Sequence, residues 1–306
     1  MTQNGENPQK SKTPLIQNKT FNKAISLTEN FKCGPGGIYD PLKSKIIKVH
    51  KETNSEMFFE IQLPDGLSLN HQNGQFVEVS VFGLGEAPIS ICSPSTQTDS
   101  FELVVRATGR VTNHLHTLKA GDFIGIRGPM GRGFDMSQWK GKDLLIIGGG
   151  IGLVPLRSII KTAITHRKDY GNITTLYGTR NSSEILFKDE IKEWESRDDM
   201  TLEITLDQGS NDWKGKVGLI TKLIPPLHLD SNNTIAIITG PPVMYKFVIQ
   251  ELKEKGIGDE NIIVSLERMM KCGIGKCGHC AINQSYCCID GPVYKLSECK
   301  ELAEAL

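Results

Sequence analysis

The sequence predicts a β-barrel, then a parallel-sheet α/β domain, then a small C-terminal cysteine lobe. Three observations carry this. Residues 43–137 hold short alternating apolar runs between turn residues. Residues 138–265 alternate continuous apolar runs with helical patterns. Residues 266–306 contain six of the eight cysteines, five of them between Cys272 and Cys288. A polar extension, residues 1–42, precedes the barrel.

The barrel strands are expected at 45–49, 57–62, 76–81, 101–106 and 123–127. Pro64-Asp65-Gly66, Asn73-Gly74 and Gly121-Asp122 punctuate them. Many short strands with such turns suit a small antiparallel barrel or sandwich. At Lys142 the pattern changes. Buried strands are expected at 143–147, 172–177, 201–206, 234–238 and 261–266. Helical patterns fall at 154–166, 188–195, 218–223 and 243–255. Strand–helix alternation implies a parallel sheet with crossover helices.

Bulk properties exclude several classes. The chain has 306 residues, enough for two domains or three. It balances 35 basic against 35 acidic residues, so no electrostatic signature of nucleic-acid binding or membrane-surface attachment is expected. No apolar run approaches the ~18 residues of a membrane-inserted helix. The first 32 residues are rich in Asn, Gln, Lys and Thr and lack a signal-peptide core, so the protein is expected in the cytoplasm. This tail reads either as a disordered lead-in or as an arm that orders against a partner subunit.

Clustered cysteines in such a chain point to metal rather than disulfides. Cys272-Gly-Ile-Gly-Lys-Cys277-Gly-His-Cys280 and a distal Cys287-Cys288 pair have the C-x4-C-x2-C…C spacing of plant-type 2Fe–2S clusters. Gly273, Gly275 and Gly278 permit the positive-φ turns that bring backbone N–H groups to sulfur. Structural zinc sites usually pair C-x2-C at both ends, unlike this loop. His279 alone cannot provide Rieske ligation, which needs two histidines. Either Cys287 or Cys288 is the fourth ligand. Cys33, Cys92 and Cys299 read as small buried residues or free thiols.

The apolar run 144–147 leads into Gly148-Gly149-Gly150-Ile-Gly152-Leu-Val-Pro155. A strand, a glycine turn and a helix start form an anion site, from backbone N–H groups and the helix dipole. Pro155 suits the first helical turn. Tyr177-Gly-Thr-Arg180 and Gly240-Pro241-Pro-Val-Met244 end two further strands, where open α/β sheets bind ligands. Arg180 would suit a 2′-phosphate, whereas Glu184 and Asp207 oppose one, so NAD and NADP both stay open. In the barrel, Arg106-Ala-Thr-Gly109-Arg-Val111-Thr112 combines charge, a free backbone and a hydroxyl, or is an ordinary strand end.

These blocks together resemble the ferredoxin–NADP reductase superfamily. More closely, they resemble the gamma subunit of cytoplasmic NiFe hydrogenases (sulfhydrogenases), with the electron-transfer subunits of anaerobic sulfite reductase and of dihydroorotate dehydrogenase as near relatives. The resemblance spans about residues 43–296. It is carried by Gly74-Gln-Phe76, Ala87-Pro-Ile-Ser-Ile-Cys92, Gly109-Arg-Val-Thr112, Gly128-Pro-Met-Gly131, residues 148–155, residues 240–244 and Leu266-Glu-Arg-Met-Met-Lys-Cys272 through Cys280.

The resemblance implies an FAD-binding barrel at 43–137, an NAD(P)-binding domain at 138–265 and a 2Fe–2S lobe at 266–306. FAD would lie on Ala87, Pro88, Ile89, Ser90, Arg106, Gly109, Val111 and Thr112. The superfamily's R-x-Y-S block reads Ala87-Pro88-Ile89-Ser90 here, so Arg106 or the 109–112 turn would replace its arginine. NAD(P) would lie on Gly149, Gly150, Gly152, Tyr177, Arg180, Gly240, Pro241 and Met244. Ser90 would face flavin N5, and so would Thr239, which stands where relatives have cysteine. Relatives place the last cluster ligand directly before x-Asp-Gly-Pro, which implies Cys272, Cys277, Cys280 and Cys288. Glu267 and Arg268 would then support the flavin or the cluster, or be strand-end charges.

The implied activity is that of a diaphorase-type flavoprotein subunit relaying electrons between NAD(P)H, FAD, the cluster and a partner, most closely a NiFe hydrogenase. The alternatives are a sulfite reductase or dihydroorotate dehydrogenase subunit, or a stand-alone reductase of a ferredoxin-like carrier. Nothing in the chain resembles a NiFe site, so the terminal chemistry is expected on other subunits.

Overall fold

The computed structural model describes residues 31–299. The expected barrel is formed by β1 (Leu42–Lys51), β2 (Glu56–Gln62), β3 (Phe76–Val81), β4 (Gly85–Ser90), β5 (Phe101–Arg106) and β6 (Phe123–Met130), with a short helix α1 (Arg110–Leu115) before β6. The antiparallel order is β4-β3-β6-β1-β2-β5. A bridge between Ile91 and Leu103 links the two edges. Alternate side chains, among them Ile46, Phe59, Val77, Leu103 and Ile126, fill the interior. Each is worth roughly 1.5–3 kcal/mol of apolar burial. β4 was not expected, because Gly-Glu-Ala-Pro-Ile-Ser lacks alternation. It forms because β3 offers a free edge, and an edge strand tolerates Pro88.

The second sheet contains β7 (Asp143–Gly149), β8 (Ile173–Thr179), β9 (Thr201–Leu206), β10 (Lys216–Val217), β11 (Thr234–Thr239), β12 (Ile262–Ser265) and, beyond a small hairpin of β13 (Ala281–Ile282) and β14 (Ser285–Tyr286), β15 (Val293–Lys295). Its order is β10-β9-β8-β7-β11-β12-β15, and only β15 runs antiparallel. The central run Leu144-Leu-Ile-Ile147 is buried on both faces, as helix-covered parallel sheets require. The covering helices are α2 (Leu153–Thr165), α3 (Lys188–Glu195) and α4 (Pro242–Glu254). The helix expected at 218–223 is only a 3-10 turn, Ile220–Leu223. Pro225 and Pro226 follow directly and prevent its extension.

Residues 31–41, assigned to the extension, pack on the barrel: the Lys32 backbone pairs with Gly128. Residues 1–30, where the lead-in or arm was expected, lie outside the described residues. The cysteine-rich region from 266 onward packs against the second sheet, to which its β15 adds an edge strand beside β12. Two short helices, α5 (Cys287–Asp290) and α6 (Leu296–Cys299), flank that strand.

Polar contacts lock the barrel against the α/β domain. Arg157 of α2 is buried, with only 3% exposed. Its Nε and one Nη donate to Glu190 of α3, and its other Nη donates to the Cys92 carbonyl and the Glu102 carboxylate of the barrel. The Phe187 N–H donates to Glu52 at 2.8 Å, and the Asn73 amide donates to the Thr162 hydroxyl at 2.9 Å. The site lies along this seam.

Candidate functional site

The carboxyl ends of β7, β8 and β11 surround a cleft of about 490 Å³. Gly149, Gly150, Gly152, Arg180, Gly240, Pro241 and Met244 line it, as expected from the sequence, together with Glu184, Asp207 and Glu267. The glycines have two different reasons. A Cβ on Gly152 would collide with the Thr239 carbonyl, and one on Gly149 would lie 2.6 Å from the Met244 sulfur. These two glycines let the turns after β7 and β11 close on each other. Gly150 instead has φ +54° with nothing near its missing Cβ, so its backbone faces open space. A 3-10 turn, Gly150–Gly152, then starts α2. Free backbone N–H groups and a helix start make this rim a fit for a pyrophosphate.

Thr239, 3% exposed, ends β11 beside Gly240, and its Oγ1 has no hydrogen-bond partner among the described residues. A buried hydroxyl left unpaired costs about 1–3 kcal/mol, so this one suits a polar ligand group. Gly152→Ala is expected to force the two turns apart. Overpacking of this kind costs about 1–3 kcal/mol. A thermal midpoint lowered by a few degrees, with NADH binding weakened about tenfold in a fluorescence titration, is the expected outcome.

Two expected cofactor residues sit elsewhere. Tyr177 is fully buried, does not line the cleft, and accepts a 3.4 Å hydrogen bond from the Leu186 N–H. Burial pushes its hydroxyl pKa up. Strand alternation explains the displacement, because the next residue, Gly178, takes the cleft-facing position. Arg106 lines the nucleotide cleft, whereas Gly109, Val111 and Thr112 do not. Its Nε pairs with Glu56, a buried carboxylate also held by the Thr53 and Ser55 hydroxyls. Burial raises the Glu56 pKa, but the hydrogen bonds from Thr53, Arg106 and Ser55 outweigh it and keep the carboxyl below its usual range. Arg106 is thus a cation supplied by the barrel and aimed at the nucleotide side.

Ala87, Pro88, Ile89 and Ser90 are half-buried along the β4 edge. The 109–112 turn stands beside the β3–β4 connection: Arg110 donates to the Leu84 carbonyl at 2.9 Å, and Val111 lies near Gly85. The Thr112 hydroxyl accepts from the Thr108 and Gly109 N–H groups, so it caps its own turn.

The cysteine loop bends through Gly273, Gly275 and Gly278, with φ of 71°, 72° and 79°. The Lys276 and Cys277 N–H groups point at the Cys272 sulfur at 3.3 and 3.4 Å, and the Gly275 N–H points at the Cys288 sulfur at 3.1 Å. Among the described residues no three His, Cys, Asp or Glu side chains gather around one point, as a single ion would require. The hydrogen bond from Cys288, helped by backbone N–H groups, pulls the Cys280 thiol down to about 6. An N–H-lined set of soft sulfurs fits a thiolate-bound iron–sulfur group. Cys287 differs in where its sulfur points: it is buried and turned toward the Leu266 carbonyl. His279 is exposed, and Cys92 and Cys299 are buried free thiols.

The loop lies against the barrel. A Cβ on Gly273 would strike the Met130 sulfur and lie 3.4 Å from Glu78 Cγ. Glu78 of β3 is directly opposite Pro88 of β4. Sequence reasoning passed over Glu56, Glu78 and Arg127. Arg127 did carry a signal, as a lone charge inside the apolar strand Phe-Ile-Gly-Ile-Arg-Gly-Pro-Met. No helix among the described residues is long and apolar enough to cross a membrane.

Residues 43–134 match the oxidoreductase FAD-binding domain, and residues 146–250 the oxidoreductase NAD-binding domain. Residues 267–300 match the iron–sulfur cluster binding domain of dihydroorotate dehydrogenase B. The chain is 40% identical to the sulfhydrogenase 1 gamma subunit of Pyrococcus furiosus over 260 residues, 82% of this chain and 89% of that one. It is 36% identical to a probable dihydroorotate dehydrogenase B (NAD(+)) electron transfer subunit of the same organism, over 72% of this chain and 78% of that one. A chain from the NADH-dependent reduced ferredoxin–NADP oxidoreductase structure is similar at a TM-score of 0.68 and 28% identity, covering 86% of this chain and 92% of that one. A ferredoxin–NADP+ reductase from Neisseria gonorrhoeae with bound FAD and NADP shares the fold at a TM-score of 0.63 and 20% identity, covering 77% of this chain and 98% of that one.

Proposed function

The chain belongs to the ferredoxin–NADP reductase-like family of FAD- and NAD-binding oxidoreductases that carry a dihydroorotate dehydrogenase B-type iron–sulfur domain, and on that premise we propose that it is the electron-transfer subunit of a sulfhydrogenase-type NiFe hydrogenase. In this reading electrons pass between NAD(P)H, FAD and a 2Fe–2S cluster, and on to partner subunits in the cytoplasm. The observation that supports it best is the packing of the cysteine loop on β3, directly across from the Ala87–Ser90 block, which keeps the path from flavin strand to cysteines short.

Bound FAD exchanges electron pairs with nicotinamide and single electrons with an iron–sulfur centre. The chain's own residues bind and orient. The backbone of Gly149, Gly150 and Gly152 receives the dinucleotide pyrophosphate, and Gly240, Pro241 and Met244 wall the nicotinamide side. Arg106, aimed by Glu56, offers charge from across the seam, and Arg180 offers it at the outer rim. Thr239 and Ser90 present hydroxyls to the flavin edge, while Ala87, Pro88, Ile89, Gly109, Val111 and Thr112 shape the flavin surface. Cys272, Cys277, Cys280 and Cys288 supply the four thiolates.

Anaerobic purification of the native complex, with subunit identification, tests the partner. Recovery with dihydroorotate dehydrogenase or sulfite reductase subunits would replace the hydrogenase reading. The loaded chain alone is expected to reduce an artificial dye with NAD(P)H and to make no hydrogen. Hydrogen evolution by this chain alone would overturn the proposal. So would zinc without iron and no flavin absorbance at roughly 450 nm.

A further inference from the structure

Arg127 is the largest side chain fully buried in the described protein, with 1% exposed. Its Nε and one Nη grip both carboxylate oxygens of Glu86, at 2.9 and 2.6 Å. Glu86 immediately precedes the Ala87–Ser90 block. The other Nη donates to the Ile38 carbonyl at 3.1 Å and to the Cys272 carbonyl at 3.3 Å. One guanidinium therefore joins the N-terminal segment, the flavin strand and the first cysteine of the loop.

We propose that Arg127 sets how readily the cysteine-held centre accepts an electron, by placing a fixed cation against the Cys272 peptide. This rests on the 2Fe–2S reading above. Reduction adds one negative charge to the centre. A buried cation beside it stabilises the reduced form, and low local polarizability makes that effect larger than in water. Hydrogen bonding to a ligand residue's own peptide is a recognised way for a protein to tune a metal group.

The surrounding charges are few. Glu86 engages the guanidinium edge away from Cys272, and the Ser80 hydroxyl binds it as well. Glu78 is buried beside the loop, and burial raises its carboxyl to about 7. Lys276 sits over Tyr39, whose ring also lies 5.9 Å from Arg127. Of these, only the guanidinium both donates to a ligand residue and is held rigidly from two sides.

The test is an EPR-monitored redox titration of the intact complex carrying Arg127→Met or Glu86→Gln. Arg127→Met is expected to lower the midpoint, so that the reduced-to-oxidised ratio at fixed potential falls about tenfold, or ~59 mV for a one-electron centre. Glu86→Gln removes the counter-charge and is expected to shift the midpoint upward. A purely structural role would not give shifts of opposite sign. An unmoved midpoint in Arg127→Met with its signal intact, or shifts of one sign in both variants, would overturn the inference. Where Arg127→Met fails to assemble, Glu86→Gln decides: an upward shift supports the inference and no shift overturns it. A wild-type complex without a 2Fe–2S signal overturns the cluster reading, and the inference with it.

Discussion

Cys288→Ser is expected to abolish the iron–sulfur chromophore and its EPR signal, while Cys287→Ser keeps both. The two residues are neighbours, yet α5 turns them to different surroundings. The Cys288 sulfur accepts the Gly275 N–H at 3.1 Å, whereas the Cys287 sulfur faces the Leu266 carbonyl in the core. A serine hydroxyl at 288 would lose the soft donor that a thiolate-bound iron needs. The comparison is read by iron and acid-labile sulfide per chain, beside visible and EPR spectra. Loss of the cluster in Cys287→Ser, with retention in Cys288→Ser, would reverse the assignment. Flavin content should stay unchanged in both, because neither cysteine belongs to the Ala87–Ser90 strand or the 109–112 turn.

Arg157→Met is expected to destabilise the protein by about 3–5 kcal/mol, the usual effect of removing the buried partner of an ion-pair network. The thermal midpoint should fall by roughly 6–15 °C. Arg157 is one cation serving two acids from different domains, Glu102 of the barrel and Glu190 of α3. The loss should therefore appear at the seam, as faster proteolysis between barrel and α/β domain. The pH dependence has a definite sign. Burial raises the Glu190 pKa, but the Arg157 hydrogen bond and charge outweigh it and leave the carboxyl below its usual range. A lowered folded value contributes stability above the ordinary carboxylate range and loses it as pH falls through the folded value. The gap between wild type and Arg157→Met should narrow on acidification. A gap that widens at low pH, or one below about 1 kcal/mol at neutral pH, would show that the pair is not what holds the seam.

The limits of legibility are specific. Strands of clear period were legible because burial selects side chains at period two in the barrel, or in continuous runs in the parallel sheet. β4, which carries the Ala87–Ser90 block, had no such pattern, since its pairing comes from an edge that β3 presents. Tyr177 looked like a cleft residue because it ends a strand, but alternation turned it inward and left the opening to Gly178. Arg106 read as a partner of the Gly109–Thr112 turn only three residues away. Glu56, fifty positions earlier in the chain, draws it instead to the nucleotide side.

By itself the sequence determined most of the element types, the glycine turn that opens α2 and the C-x4-C-x2-C loop, because each depends on residues close together along the chain. Turn chemistry, helical period and cysteine spacing are local properties, and so survive without knowledge of the fold. Only the tertiary structure decided which carboxylate holds Arg106. It also decided that β15 completes the nucleotide sheet and that Arg127 reaches the Cys272 carbonyl 145 positions away. Those facts depend on burial and on hydrogen bonds between distant segments, where unpaired polar groups are costly and only the folded arrangement supplies their partners.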